Sequence, residues 1–214
     1  MNLGNITFLR QEQFESTDNE TLFLYIQDSN RNFYVQKCVS NILSPTLNCT
    51  QLFNRQLNGT ILNLTANRFH YYNGIYRHLV AATTSNHPYS IHIMNMDTGE
   101  DFNTIHLIPG FTGLVTSIEF LGEFLSVTCK YAKAIYFYDM IRCEDFNRCD
   151  RPIYEIDTEV MHRVGVHYFS PLQVYASDFH PYILFIQNME SVLILDFSPT
   201  GVKLLDHLSS SATR

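Results

Sequence analysis

Tryptophan is absent from the 214 residues, and charged residues make up only 16% of them, short of the usual figure of about a quarter. A helical protein with charged surface stripes needs more charge than this, whereas many half-buried strands do not. Lysine and arginine number 14 against 21 acids, a formal net charge of −7. That argues against a broad nucleic-acid surface, which needs a cationic field to displace counterions, and against electrostatic docking on an anionic membrane. Long apolar runs are missing too. Runs such as Tyr182–Ile186 and Val192–Leu195 are far below the roughly 20 residues of a membrane-spanning helix. The opening Met1-Asn2-Leu3-Gly4-Asn5 lacks the basic start and apolar segment of a secretory leader, although a mature chain would already have lost one. Catalytic signatures are absent as well. There is no nucleophile elbow, phosphate-binding loop, dinucleotide fingerprint, zinc-hydrolase helix or Asp-x-Asp calcium loop. The expectation is a non-enzymatic chain that needs no cofactor.

What the chain has is aromatic residues, 16 Phe and 13 Tyr, placed in short runs of β character. In EFLSVTCK, Phe124, Ser126 and Thr128 alternate with Leu125, Val127 and Cys129. In KAIYFYDM, Ile135 and Phe137 alternate with Tyr136 and Tyr138. Such runs suit a pleated surface and are too short and too unlike helical spacing for helices. LVTSIEFLG ends at Gly122, which predicts a tight turn into Glu123, and Tyr131-Ala132 supplies the next hairpin connection. PIYEID follows a longer loop as a fourth strand.

The order recurs along the chain. The second strands of successive units begin at Thr21, His78, Glu123 and Tyr182, so the unit repeats every 45 to 59 residues. Periods of about 40 to 50 residues with four strands per unit are those of propeller blades, the longer ones here requiring longer loops. Approximate blades are 1–60, 61–112, 113–160 and 161–208, in a single domain over 1–214. In the first, ITFLRQEQF is read as an opening strand or as a frayed terminus. A long loop holding Ser44-Pro45 and Cys49 then precedes QLFNRQL. Turns are marked by Asn58-Gly59, Asn73-Gly74, Asp97-Thr98-Gly99 and Pro109-Gly110.

Three segments, IHIMNMDTGE, AIYFYDM and SDFHPYILFIQNMESVLILDFSPTG, carry a hydrophobic third strand that ends near an acid: Asp97, Asp139 or Asp196. In this the chain resembles β-propeller repeats of the WD-repeat and quinoprotein-like kinds. The likeness covers about residues 70 to 208 and touches the first 60 weakly. The Gly-His and Trp-Asp dipeptides of standard WD repeats are missing. The resemblance implies an all-β, propeller-like fold of about four four-stranded antiparallel blades. Four is the low end of the range of about four to eight for propellers, so the blades are expected to form part of a larger propeller or assembly.

Two cysteine pairs occupy matching places. Cys38 and Cys49 fall between Phe33-Tyr34 and Leu52-Phe53, and Cys143 and Cys149 fall between Phe137-Tyr138 and Ile153-Tyr154. Both pairs are read as lying in the loop between third and fourth strands, where a disulfide would pin a long connection. Free thiols are the alternative. Zinc is disfavoured because the spacing is not that of a knuckle. Cys129 is read as a buried thiol in a central strand. Five Asn-x-Ser/Thr sequons, at Asn5, Asn19, Asn48, Asn58 and Asn63, lie in the first third. Asn58 at a turn is the better acceptor and Asn63 within a strand the poorer. Disulfides persist in oxidising compartments, so cysteines and sequons together point to a secreted or lumenal setting, the cytoplasm being the alternative.

The remaining polar constellations have bland readings. His92 and His106 sit in neighbouring strands and are read as outer-face residues rather than a metal pair. His162 and His167 flank Gly165 in a connection. Asp97, Asp139 and Asp196 are read as turn acceptors rather than a ring of acids. Glu144, Asp145 and Asp150 make the second cysteine loop acidic and are read as solvated. Tyr71, Tyr72, Tyr131 and Tyr154 are read as contact or sheet residues alike. The expected function is a non-catalytic structural or protein-binding module of a secreted or cell-surface glycoprotein, with other protein chains as partners. An intracellular scaffold subunit is the alternative, and a propeller enzyme ranks below both.

Overall fold

The computed structural model describes residues 6–15, 19–41, 44–72, 75–107, 115–129, 132–146, 149, 151–177, 180, 182–189, 191–198 and 201–209. The turns read at Asn73-Gly74 and Pro109-Gly110 and the connection at Tyr131 lie outside these residues. The described chain forms four four-stranded antiparallel sheets in sequence order. The first holds β1 (Ile6–Glu15), β2 (Asn19–Asp28), β3 (Asn32–Asn41) and β4 (Ser44–Gln56). The second holds β5 (Ile61–Tyr72), β6 (Ile75–Thr84), β7 (His87–Asn95) and β8 (Asp101–His106). The third holds β9 (Val115–Leu121), β10 (Phe124–Cys129), β11 (Ile135–Asp139) and β12 (Tyr154–Ile156), and the fourth β13 (Pro171–Ala176), β14 (Ile183–Asn188), β15 (Ser191–Ser198) and β16 (Gly201–Ser209). Each strand pairs with the next, so every sheet is a meander, the arrangement expected of a propeller blade.

Turn chemistry explains the strand ends. At the β2–β3 turn the Asp28 carboxylate accepts from the backbone N–H groups of Asn30 and Asn32, at 2.8 and 2.9 Å. Gly122 closes the β9–β10 turn at φ 55°, a conformation that favours glycine. Two short helices occupy stretches read as loop. α1 (Met140–Phe146) starts where the Asp139 carboxylate accepts from Ile141 and Arg142. α2 (Thr158–Arg163) starts where Asp157 accepts from the Val160 N–H at 2.8 Å. The first blade departs from expectation at β4. Strand pairing resumes at Ser44, so the long loop before QLFNRQL does not exist.

Three apolar clusters lie at three seams. The blade 1–2 seam packs Tyr25, Phe33 and Phe53 against Ile61, Leu64 and Met94. The blade 2–3 seam packs Leu79, Ile91 and Ile105 against Ile118, Leu125 and Val127. At the blade 3–4 seam Phe137 stacks on Phe197 at 4.3 Å. Polar side chains tie the same seams by capping backbone groups. Gln27 of blade 1 bonds Gly59 O and Ile61 N–H, Asn63 of blade 2 donates to Val115 O at 3.0 Å, and Ser117 of blade 3 accepts from Val174 N–H at 3.4 Å.

The second strands show which blades are covered on both faces. In β6 all six residues from Leu79 to Thr84 are buried, and in β10 all five from Leu125 to Cys129 are. The alternation read in EFLSVTC therefore carries no exposure difference, because blade 3 is sandwiched between its neighbours. β14 instead alternates: Leu184, Ile186 and Asn188 are buried, Phe185 and Gln187 exposed. Among the described residues blade 4 is covered on one face only. Among the described residues no apolar cluster joins blade 4 to blade 1.

Candidate protein-interaction site

The two cysteine pairs are joined, Cys38 to Cys49 and Cys143 to Cys149. Their placement differs from the loop position read in the sequence. Cys38 and Cys49 sit directly opposite each other in β3 and β4, with Cα atoms 4.0 Å apart, because strand pairing runs past the bridge to Ser44. Cys143 lies within α1, and both it and Cys149 are buried in the blade 2–3 cluster. Asn103 of β8 donates to Cys143 O at 3.0 Å, so this bridge fixes α1 against blade 2. Cys129 is a buried free thiol, and burial pushes its pKa up to about 11. Such a thiol is inert at neutral pH.

The sequons divide by exposure. Asn48 is exposed in β4 and Asn58 is exposed at the β4–β5 turn, where its amide meets His87 Nε2 at 2.8 Å. Asn63 is half-buried, and its amide nitrogen donates to both Thr83 Oγ1 and Val115 O. A glycan there would have to displace both of these bonds at the blade 2–3 seam. Asn19 begins β2, its side chain outside the described residues, and Asn5 lies outside them altogether.

His92 and His106 lie in the neighbouring strands β7 and β8, as read. His92 stands opposite Thr104, and His106 stands opposite Ser90 with Nδ1 3.2 Å from its hydroxyl. Burial, then the neighbouring His87, holds the His92 pKa below its ordinary value. His167 Nδ1 does approach His162 Nε2 to 3.3 Å beyond α2. Among the described residues no three His, Cys, Asp or Glu side chains stand where a metal ion would need them. The three acids likewise part company. Asp139 caps α1 as a turn acceptor. Asp97 faces His78 at 3.3 Å while its neighbour Asn95 organises the turn. Asp196 sits within β15, paired with Ile183 and Lys203. The side chains of Glu144, Asp145, Asp150, Tyr71, Tyr72 and Tyr131 are outside the described residues. Tyr154 packs on Phe197 at 5.2 Å and is a seam residue rather than a contact residue.

The feature missed in the sequence is the outward face of blade 4. Across it run Tyr175, Phe185, Val192 and Leu208, exposed by 49, 36, 37 and 54%. The strand register brings them side by side: Tyr175 opposite Phe185, and Val192 opposite Leu208. With Gln187, Asn188 and Met189 they line a groove of about 460 Å³. Asn188 fixes one end of it, accepting from Ser170 N–H at 2.6 Å and donating to Tyr168 O at 3.0 Å. The signal was present in the near-continuous apolar runs YILFI and VLIL, which mark strands built for cover on both faces.

No protein-family model matches the chain, and no curated protein matches it. Solved structures do. Chaetomium thermophilum Sqt1, bound to the N-terminus of ribosomal protein L10, aligns at TM-score 0.55 and 12% identity, over 88% of this chain and 48% of that one. A chain of ctPRC2 in complex with H3K27me3 and H3K27M aligns at TM-score 0.57 and 8% identity, over 89% of this chain and 37% of that one. The fold is that of a β-propeller built from four-stranded antiparallel blades. At such identities the likeness is one of fold. The chain spans less than half the length of these two structures.

Proposed function

We propose that the chain is a non-catalytic protein-binding propeller module of a secreted or cell-surface glycoprotein. The observation that carries the first half is the outward face of blade 4. A contiguous apolar face of this kind, rimmed by Gln187 and Asn188, marks a site for another protein. Tyr175 and Phe185 are the aromatic anchors of such a contact. The two cysteine bridges and the exposed sequons at Asn48 and Asn58 support the second half. A second reading, an intracellular scaffold subunit of a large assembly, is favoured by the fold's company, since the Sqt1 structure holds the N-terminus of a ribosomal protein.

Two measurements on protein from its native source test these halves separately. A photo-crosslinking residue in place of Phe185 is expected to give an adduct with a protein; no protein adduct overturns the binding role. Intact mass before and after glycosidase and reduction addresses the compartment. The secreted reading expects glycan mass and one alkylatable thiol, Cys129, before reduction. An unmodified mass with all five cysteines alkylatable selects the intracellular scaffold.

A further inference from the structure

We infer that the outward face of blade 4 is covered by blade 1 of a second copy of this chain, and that two copies close an eight-bladed ring. The inference rests on the protein-binding reading and names the partner. In each of the three seams a forward face of one blade meets the rearward face of the next. Blade 4 has its forward face open among the described residues. Blade 1 has the matching rearward face, on the side opposite Tyr25 and Val35, where the exposed Leu9 stands opposite the buried Ile26 across β1 and β2 and Leu24 and Tyr34 stand half-buried. Leu9 is 59% exposed, an apolar residue at the centre of a strand with nothing over it among the described residues. A head-to-tail contact continues the seam already used three times, and it closes after two copies if four blades make a half turn. Eight blades fall within the range of about four to eight.

The area suffices. A sheet of four strands about 4.8 Å apart, with about six residues each at about 3.3 Å, presents a face of about 380 Å². Two seams of two such faces bury on the order of 1,500 Å², the size of a stable interface of roughly 1,200–2,000 Å². Each copy buries an aromatic-rich face against a more aliphatic one, as in the blade 1–2 seam.

The experiment is the solution mass of the oxidised chain at micromolar concentration by sedimentation equilibrium. The expected value is twice 24.8 kDa. Phe185→Glu and Leu9→Glu are each expected to halve it with an unchanged far-UV spectrum, since both positions are exposed in one copy. Val192→Glu serves in place of Phe185→Glu should that variant misfold. Mixed in equal amounts, the two variants are expected to regain a two-chain species, because one seam of the mixed pair carries no substitution. A monomeric wild-type chain overturns the inference and assigns the face to a different protein or to blades beyond these residues. A dimer broken by Phe185→Glu but not by Leu9→Glu also overturns it, in favour of a symmetric blade 4 contact. A protein adduct at position 185 from a monomeric chain leaves the binding role standing and removes the second copy alone.

Discussion

Gln27→Leu tests whether the blade 1–2 seam is held by polar ties as well as by apolar packing. Gln27 is fully buried. Its side-chain oxygen accepts from Ile61 N–H at 2.8 Å, and its amide donates to Gly59 O at 3.0 Å. The two partners are backbone groups in the β4–β5 turn and at the start of β5. Leucine keeps most of the volume but satisfies neither group. Each buried group left without a partner costs about 1–3 kcal/mol, and the added apolar surface returns about 1 kcal/mol. The net loss is therefore about 1–5 kcal/mol, which for a chain of this size is a fall in Tm of about 2–4 °C per kcal/mol. Chemical denaturation of the oxidised chain, followed by far-UV circular dichroism, reads the free energy. Hydrogen exchange at the Ile61 amide reads its location and is expected to accelerate selectively. A loss below about 0.5 kcal/mol, within the range of an ordinary surface change, together with unchanged exchange at Ile61, would refute the reasoning and leave the seam to its apolar cluster.

Four further outcomes follow from individual sites. Gly99 has φ 73°, and a Cβ there would lie 2.6 Å from the Phe53 ring, so Gly99→Ala should lose about 3 kcal/mol; Gly122→Ala, at φ 55° in open space, should lose only about 1–2 kcal/mol in the same denaturation assay. The Tyr138 hydroxyl is buried with no partner among the described residues, so Tyr138→Phe should gain about 1 kcal/mol, and a loss would show that the hydroxyl is bonded. His92 holds a pKa below its ordinary value of 6.5 through burial, so below that pH the unfolded chain takes a proton that the folded chain refuses; Tm should fall as pH drops from about 7 toward 5, and less steeply in His92→Gln. In a secreting host, Asn48→Gln and Asn58→Gln should each shed one glycan mass, whereas Asn63→Gln should leave the mass of attached sugar unchanged.

The strands were legible because turn residues and alternating aromatic runs are local signals. ILNLTANRFHYY coincides with β5 from Ile61 to Tyr72, and Gly122 ends β9 where a left-handed turn residue is required. The helices were not read because they are shorter than two full apolar periods. Their cause is capping, and the signal for α2 was available: Asp157 as N-cap, Glu159 in the first turn and Gly165 past the end. β4 was read short because Ser44-Pro45 looks like a loop, yet proline is tolerated at the beginning of a strand. The interaction face was the least legible. Phe185 and Ser126 both sit on the forward faces of second strands, and blade 4 beyond blade 3 covers Ser126, whereas among the described residues nothing covers Phe185. Exposure of that kind is set by a neighbour distant in sequence, so no window of residues contains it.

The same distinction between local and distant causes explains why the blades look alike in shape and unlike in motif. Each blade here has one short acidic or amide side chain that organises a strand end, and each uses it at a different place. Asp28 builds the turn between the second and third strands of blade 1. Asn95 accepts from Asp97 and Thr98 in the turn between the third and fourth strands of blade 2. Asp139 starts a helix after the third strand of blade 3, and Asn188 binds the end of β14 to the segment before β13 in blade 4. The physical need is common to all four: backbone N–H groups at a strand end must find an acceptor. The position is free, because any Asx residue near a strand end meets that need. A repeat fixed by seam packing and by such movable acceptors keeps its architecture while losing the fixed dipeptides that mark standard WD blades. Seam packing is then the physics these blades share, and among the described residues the forward face of blade 4 and the rearward face of blade 1 are where it goes unmet.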